Sequence, residues 1–270
     1  MTSADAGTYR HVEHCMGTVF TIDVRPPGVP ACAVADVIDW LHQVDAIYST
    51  YLPDSVVSRL RDGRLARGAA GEQVRAVLAQ CDQLERITGG AFSAWAGGEL
   101  DPSGYVKGWA IERASDILVA AGAPNHCVNG GGDVQCRGTP APGRPWSVGI
   151  ADPARPGRLI ARVEDDGSFA VADGDRSFAV ATSGNGERGA HVVDPRTGQL
   201  AAALGSVTVL GARLADVDAY ATAAYAMGRE ARRWLFEHRL RALIVHFDGT
   251  TETTGQGVAQ YVRSMGASST

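Results

Sequence analysis

The chain has 270 residues, 45% of them apolar and 20% charged, which is ordinary globular usage and argues against disorder and against an all-helical array. A chain of this length buries about three quarters of its unfolded surface, so a real core is expected. A formal charge of −5 and a pI near 5.8 leave no basic stripe to displace counterions from phosphates, which excludes a nucleic-acid binder and points to small-molecule or protein partners.

In chain order, residues 8 to 24 alternate apolar and polar positions around Val12, Val19, Phe20, Ile22 and Val24, predicting a strand or hairpin that bends at Gly17. Residues 31 to 49 place Val34, Val37, Ile38, Leu41, Val44, Ile47 and Tyr48 at helical spacing, and a second long helix is expected near 72 to 88. Between them Asp54 or Ser55 can cap a short helix running to Leu60. An amphipathic helix follows from Tyr105 to Ala121. Strand-like segments come next at 126 to 136, 146 to 150, 158 to 164, 177 to 182, 190 to 194 and 205 to 211, separated by Gly, Pro and Asp clusters. Helices near 213 to 238, a strand from Ala242 to Phe247 and a polar loop, DGTTETT at 248 to 254, close the chain. Strands and helices mix without regular βαβ alternation, so the expected class is α+β, with mainly antiparallel sheets and packed helices in a single domain over 1–270. No repeat or linker divides it.

The five cysteines, Cys15, Cys32, Cys81, Cys127 and Cys136, form no CxxC pair and are odd in number, so reduced thiols are expected. The first residues lack a basic start followed by an apolar stretch, and no apolar run is long enough to cross a bilayer; a cytoplasmic protein with no transmembrane segment is the expectation.

Four segments carry chemistry, the first of them in two parts, TGGAFSAW and LDPSGYVKG. In TGGAFSAW, 88 to 95, the paired glycines permit close backbone approach to a flat ligand, and Phe92 and Trp95 offer rings to pack on it; alternatively this is a turn leading into core. In LDPSGYVKG, 100 to 108, Asp101 either caps the following helix or points at a ligand donor, while the helix N-terminus and Lys107 favour phosphate. In NHCVNGGGDVQCRG, 125 to 138, a triple glycine precedes Asp133 as a hairpin, a bulge or a phosphate-adjacent turn; no GK[ST] follows and GxGxxG spacing is lacking, so neither a P-loop nor a dinucleotide fold is present.

The third stretch, AVATSGNGERGAHVVDPRTGQL at 179 to 200, is the most specific. Thr182, Ser183 and Gly184 end a strand with two hydroxyls and a free backbone, and His191 lies beside DPRTG, itself readable as a capped type I turn. In ADVDAYATAAYAMG, 215 to 228, Asp218 and Thr222 are four residues apart and share one helix face, where a carboxylate and a hydroxyl can hold one hard cation; alternatively the pair belongs to a solvated face.

Taken together and in order, these segments resemble the ApbE family of FAD:protein FMN transferases. The resemblance runs from Met16 to about Gly228 through MGT, STYLPDSVVSRL, TGGAF, LDPSGYVKG, VNGGGDV, ATSGNGER, HVVDPRTG and the helix containing Asp218 and Thr222. It implies an enzyme that splits FAD with Mg2+ and links FMN to a Thr or Ser hydroxyl of an acceptor flavoprotein. It assigns Met16, Tyr51, Ala91, Phe92, Ser93, Asp101 and Val193 to the FAD pocket. Gly104, through its carbonyl, Asp218 and Thr222 are assigned to Mg2+, and His191 to activation of the acceptor hydroxyl, so that His191 and Asp218 form the catalytic set. Ser93 stands where the family usually has aspartate, which removes a charge from the flavin pocket. Two alternatives share the same residues: a magnesium-dependent FAD pyrophosphatase releasing FMN and AMP, and a flavin-binding protein without turnover.

Overall fold

The computed structural model describes residues 8–26, 31–171, 175–184, 192–255 and 263–264. The chain opens with a hairpin, β1 (Tyr9–Cys15) and β2 (Thr18–Val24), turning at Met16 and Gly17, both of positive φ. Four helices follow: α1 (Ala31–Tyr48), the short α2 (Val56–Arg61), α3 (Glu72–Ile87) and α4 (Ser103–Ala120). Ser55 caps α2 by accepting the Ser58 N–H at 2.9 Å, as its hydroxyl suggested.

The stretch expected as one strand at 126 to 136 is instead two, β3 (His126–Gly130) and β4 (Asp133–Arg137). Gly131 and Gly132 take φ of 57° and 82°, the two positive angles of a type I′ turn, and a turn with that twist folds the strand back on itself. The other expected strands become β5 (Ser147–Ala151), β6 (Leu159–Glu164), β7 (Ser177–Gly184), β8 (Val193–Asp194) with its partner β9 (Gln199–Leu200), and β10 (Ser206–Gly211). Then come α5 (Leu214–Met227), α6 (Ala231–Glu237) and β11 (Arg241–Val245). The expected polar loop at 248 to 254 is corrected in part: Asp248 accepts from the Thr250 N–H and hydroxyl to make the turn, and the threonines after it pair with β11 as β12 (Thr251–Thr254). A last short strand, β13 (Arg263–Ser264), pairs with β6.

Eight strands form one sheet in the order β1-β2-β3-β4-β7-β10-β11-β12, with every pairing antiparallel, and β13-β6-β5 form a second. The large sheet is covered on both faces. On one side Ala179 and Ala181 of β7 and Val207 and Val209 of β10 meet the helices; on the other Phe178, Val180, Cys136 and Leu243 meet Trp146, Ile150, Ala161 and Val163 of the small sheet. The alternation along β7 is the strand period sorting its side chains between two cores. Alanines on β7 and along α5 let that helix lie close to the sheet, and α4 lies beside it.

Two acceptors from outside α5 set its start. Arg213 at the N-cap makes no side-chain cap bond; Gln135 Oε1 on β4 accepts the Leu214 N–H and Glu112 Oε2 on α4 accepts the Ala215 N–H, each at 3.0 Å. These satisfy two of the donors that a helix start leaves unpaired and fix α5 against both neighbours.

His126 on β3 is wholly buried. Its Nδ1 must donate to the Ala123 carbonyl at 2.7 Å, so the neutral Nε2 accepts from the Ser115 hydroxyl, also at 2.7 Å. Burial pushes its pKa down to about 4, with the Arg137 cation adding to the effect. The unfolded chain takes up this proton below its ordinary value near 6.5 and the folded chain only near 4. The neutral ring therefore contributes fully above pH 6.5, and its contribution, about 3 kcal/mol at most, is lost as pH falls through that window. Relative to the wild type, His126→Gln is expected to flatten the fall in urea midpoint between pH 7 and 4.5; parallel curves for the two proteins would remove His126 from the pH response.

Candidate active site

Where α4, α5, the β3–β4 turn and the end of β7 meet, they enclose a cavity of about 450 Å³, a size ordinary for a small-molecule site. Its floor is the crossing of α4 and α5. Gly104, Lys107 and Gly108 share one face of α4, and Asp218 and Thr222 share the facing side of α5, as spacings of three and four residues dictate. The contact is close because Gly108 has no side chain: a Cβ there would lie 2.7 Å from the Asp218 Cβ and 2.6 Å from the Leu214 carbonyl oxygen. Gly108 N–H donates to Asp218 Oδ2 at 2.9 Å, which holds the buried carboxylate at the crossing. A Cβ on Gly104 would lie 3.6 Å from Thr222 Oγ1, so that residue faces the threonine.

The positive charge at this floor is Lys107. Its ammonium pairs with Asp133, wholly buried at the start of β4, and reaches Asp218 at 3.3 Å. Asp133 Oδ1 in turn accepts the Thr182 N–H at 2.9 Å, which ties the glycine hairpin to the end of β7. The hydroxyls beyond it are paired as well: Ser183 with Thr222 at 3.2 Å and Thr182 with Thr208 at 2.9 Å. Lys107 is the single lysine in the chain, whose other permanently charged basic side chains are all arginine. A compact ammonium can reach two carboxylates here, where a planar guanidinium would need a wider slot.

The walls come from four further segments. Ala91, Phe92 and Ser93 follow the Gly89 and Gly90 turn, whose shape is held by Thr88: its hydroxyl donates to the Leu84 carbonyl at 2.8 Å and accepts the Phe92 N–H at 3.0 Å. Asp101 lines the cavity and also accepts the Ser103 N–H at 2.9 Å, so it serves the start of α4 and the site together. Gly131 and Gly132 bring bare backbone to the wall, and Val192, Val193 and Pro195 form the side toward β8. DPRTG itself is structural. Asp194 is gripped by both ends of the Arg196 guanidinium, at 3.0 and 2.9 Å, and Arg196 continues to Glu230 at 2.7 Å. Burial alone would raise the Asp194 carboxyl, but its bonds from Arg196 outweigh that and hold it below its ordinary value.

Of the residues assigned from sequence, Ala91, Phe92, Ser93, Asp101, Gly104, Val193, Asp218 and Thr222 all line this one cavity. Met16 and Tyr51 do not. Met16 is in the β1–β2 turn at φ 52° and packs on the helical core, and Tyr51 is 94% exposed on the loop after α1, where the Ser49 hydroxyl accepts the Tyr51 and Leu52 N–H groups, each at 3.3 Å. His191 lies outside the described residues. Sequence reasoning missed the wall supplied by the small sheet, Gly149 to Pro153 with Pro156 and Gly157. The signal for it was present as a glycine inside a strand followed by a Pro and Gly turn.

Gly104, Asp218 and Thr222 offer a carbonyl, a carboxylate and a hydroxyl, the hard oxygen donors that suit Mg2+. A carbonyl has two lone pairs, so Gly104 can serve its helix and a cation together. The donor set therefore fits the ion that the sequence implied.

Comparison with known proteins adds the following. A family model described as the ApbE family matches residues 16–98 and 93–244. The FAD:protein FMN transferase of Vibrio cholerae serotype O1 is 32% identical over 134 residues, covering 48% of this chain and 39% of that protein. The FAD:protein FMN transferase of Rhodobacter capsulatus is 36% identical over 140 residues, covering 49% of this chain and 25% of that protein. The matched stretch thus spans about two fifths or less of these relatives' length. Among solved structures, the ApbE protein of Thermotoga maritima superposes with a TM-score of 0.78 at 21% identity, covering 95% of this chain and 99% of that one, which establishes the shared fold.

Proposed function

The chain belongs to the ApbE family, and from that premise we propose that it is a magnesium-dependent FAD:protein FMN transferase, which cleaves FAD to AMP and links FMN by a phosphoester bond to a threonine or serine hydroxyl of an acceptor protein. The observation that carries the reading is the convergence of Gly104, Asp218 and Thr222 beneath a cavity walled by the TGGAF turn, the glycine hairpin and the Thr182 to Gly184 strand end.

Phosphorus in a pyrophosphate is shielded by negative oxygens, and Mg2+ held by those three residues would supply the charge that relieves this repulsion and stabilises leaving AMP. The chain's own groups do the rest. Lys107 adds a second positive charge at the floor, balanced by Asp133. The bare backbone of Gly131 and Gly132 would let a phosphate approach closely, and the start of α4 at Ser103 brings the positive end of its dipole to the cavity. Phe92 and Val193 give apolar wall for a ring system, and Gly149 to Ala151 of the small sheet add to that wall. His191 would take the proton from the acceptor hydroxyl, a role worth ~10² to 10⁴ in rate.

Ser93 lends weight to a second reading. Its hydroxyl accepts the Trp95 N–H at 3.1 Å, so it serves the loop and brings no charge to the cavity. With water in place of the acceptor the same site would be an FAD pyrophosphatase; without turnover it would be a flavin binder.

One experiment separates the three. The protein is incubated with FAD and Mg2+, with and without a threonine-bearing acceptor domain, and AMP, FMN and acceptor mass are followed together. Transfer gives AMP and an acceptor heavier by FMN less water; hydrolysis gives AMP and free FMN with no gain; binding alone gives no AMP. AMP release is expected to stop with EDTA and return with excess Mg2+, and release undiminished by the chelator would overturn the metal assignment.

A further inference from the structure

Cys127 and Cys136 stand directly opposite each other on β3 and β4, and both are free thiols. The geometry of the hairpin fixes what kind of pair they make. The type I′ turn at Gly131 and Gly132 closes on Gly130 and Asp133, the pair that a β-turn hydrogen bond joins. Pairs then alternate along an antiparallel ladder, so Asn129 and Val134 are not hydrogen-bonded, Val128 and Gln135 are, and Cys127 and Cys136 again are not. In such a pair the Cα atoms approach to about 4.5 Å, at the near end of the separation a disulfide spans. Both side chains also point to the same core, between the large sheet and the small one.

We propose that Cys127 and Cys136 are a redox-active pair that closes to a cross-strand disulfide on two-electron oxidation by a low-molecular-weight disulfide. Cys127, only partly buried, is the thiol an oxidant reaches; Cys136 is wholly buried. Burial, followed by the hydrogen bond from Cys127, pushes the Cys136 thiol well above its ordinary value, so Cys127 acts first. The Cys127 thiolate attacks one sulfur of the oxidant, forming a mixed disulfide and releasing one thiol. Cys136 then gives up its proton and attacks the Cys127 sulfur, releasing the second thiol. Two protein thiols are oxidised, one external disulfide is reduced to two thiols, and the proton from each cysteine ends on a released thiol. The bond would staple two interior strands of the large sheet, whose turn is the glycine wall of the cavity and whose Asp133 holds Lys107.

The test uses the full chain with the exposed Cys32 replaced, Cys32→Ser, so that no surface thiol competes. The folded protein is incubated with oxidised glutathione, quenched in acid, denatured, alkylated and digested with trypsin. No Lys or Arg lies between Cys127 and Cys136, so both fall in one peptide, residues 114 to 137. The expected result is that this peptide escapes alkylation and weighs about 2 Da less than its dithiol form, and takes up two alkyl groups once reduced. Two alkylated cysteines after oxidation would overturn the proposal, and so would a glutathione adduct at Cys127 that never resolves. The readout is a mass and does not depend on the transferase reading.

Discussion

Replacing Asp218 with asparagine is expected to cut magnesium-dependent AMP release from FAD by about 10³-fold or more while the protein stays folded. The two halves of that expectation come from different atoms. The asparagine amide keeps an oxygen where Asp218 Oδ2 accepts the Gly108 N–H, so the buried donor remains satisfied and the helix crossing holds. The negative charge is lost, and with it the only carboxylate in the proposed Mg2+ set of Gly104, Asp218 and Thr222. Asp218→Ala would also strip the Gly108 N–H of its acceptor, at a cost of about 1 to 3 kcal/mol, and so mixes folding with chemistry. Calorimetry of Mg2+ binding reads the charge directly: the asparagine variant is expected to lose affinity even without FAD. Wild-type AMP release from Asp218→Asn would move the cation elsewhere.

The second large effect is expected at Gly108. An alanine methyl there would meet the Leu214 carbonyl oxygen at 2.6 Å and the Asp218 Cβ at 2.7 Å, and the first of these is backbone that has no rotamer to escape into. Forcing α4 and α5 apart in this way costs about 2 to 3 kcal/mol, a fall of roughly 4 to 12 °C in Tm for a chain of this size. Gly104 is the control one turn earlier: its added Cβ would come no closer than 3.3 Å, to the Phe92 ring, and Gly104→Ala is expected to cost under about 1 kcal/mol. Equal melting of the two variants would show that close approach of the helices at Gly108 is not what positions Asp218.

Much of the site was legible because its pieces are local. Asp218 and Thr222 were assigned to one helix face from their spacing alone, and the helical period puts them there whatever else the chain does. The Thr88 to Phe92 turn was legible for the same reason, since positive φ at Gly89 and Gly90 is a demand that few other residues meet, whereas the glycines at 131 and 132 left a hairpin, a bulge and a phosphate-adjacent turn open. The hairpin's presence as one strand in the sequence reading shows the limit of that logic: alternation continues through a two-residue turn, and only the turn geometry tells one strand from two.

The resemblance to the ApbE family likewise rested on ordered motifs, and eight of its site residues come together in one cavity. Two, Met16 and Tyr51, stand apart from it, because the loop and turn that carry them are placed by packing that no motif encodes.

What the sequence determined by itself was therefore the set of elements, the antiparallel α+β class and the face each reactive side chain takes, all consequences of periods of two and 3.6 and of glycine's freedom. What the tertiary structure decided was which faces meet. Lys107 reaches Asp218 across 111 residues and pairs with Asp133 on a strand, the small sheet closes the cavity opposite α5, and Gln135 and Glu112 start α5 from two other elements. Such partners are chosen by burial and charge satisfaction over the whole core, where a wholly buried Asp133 must find its cation, and that constraint acts only once distant segments share the same interior.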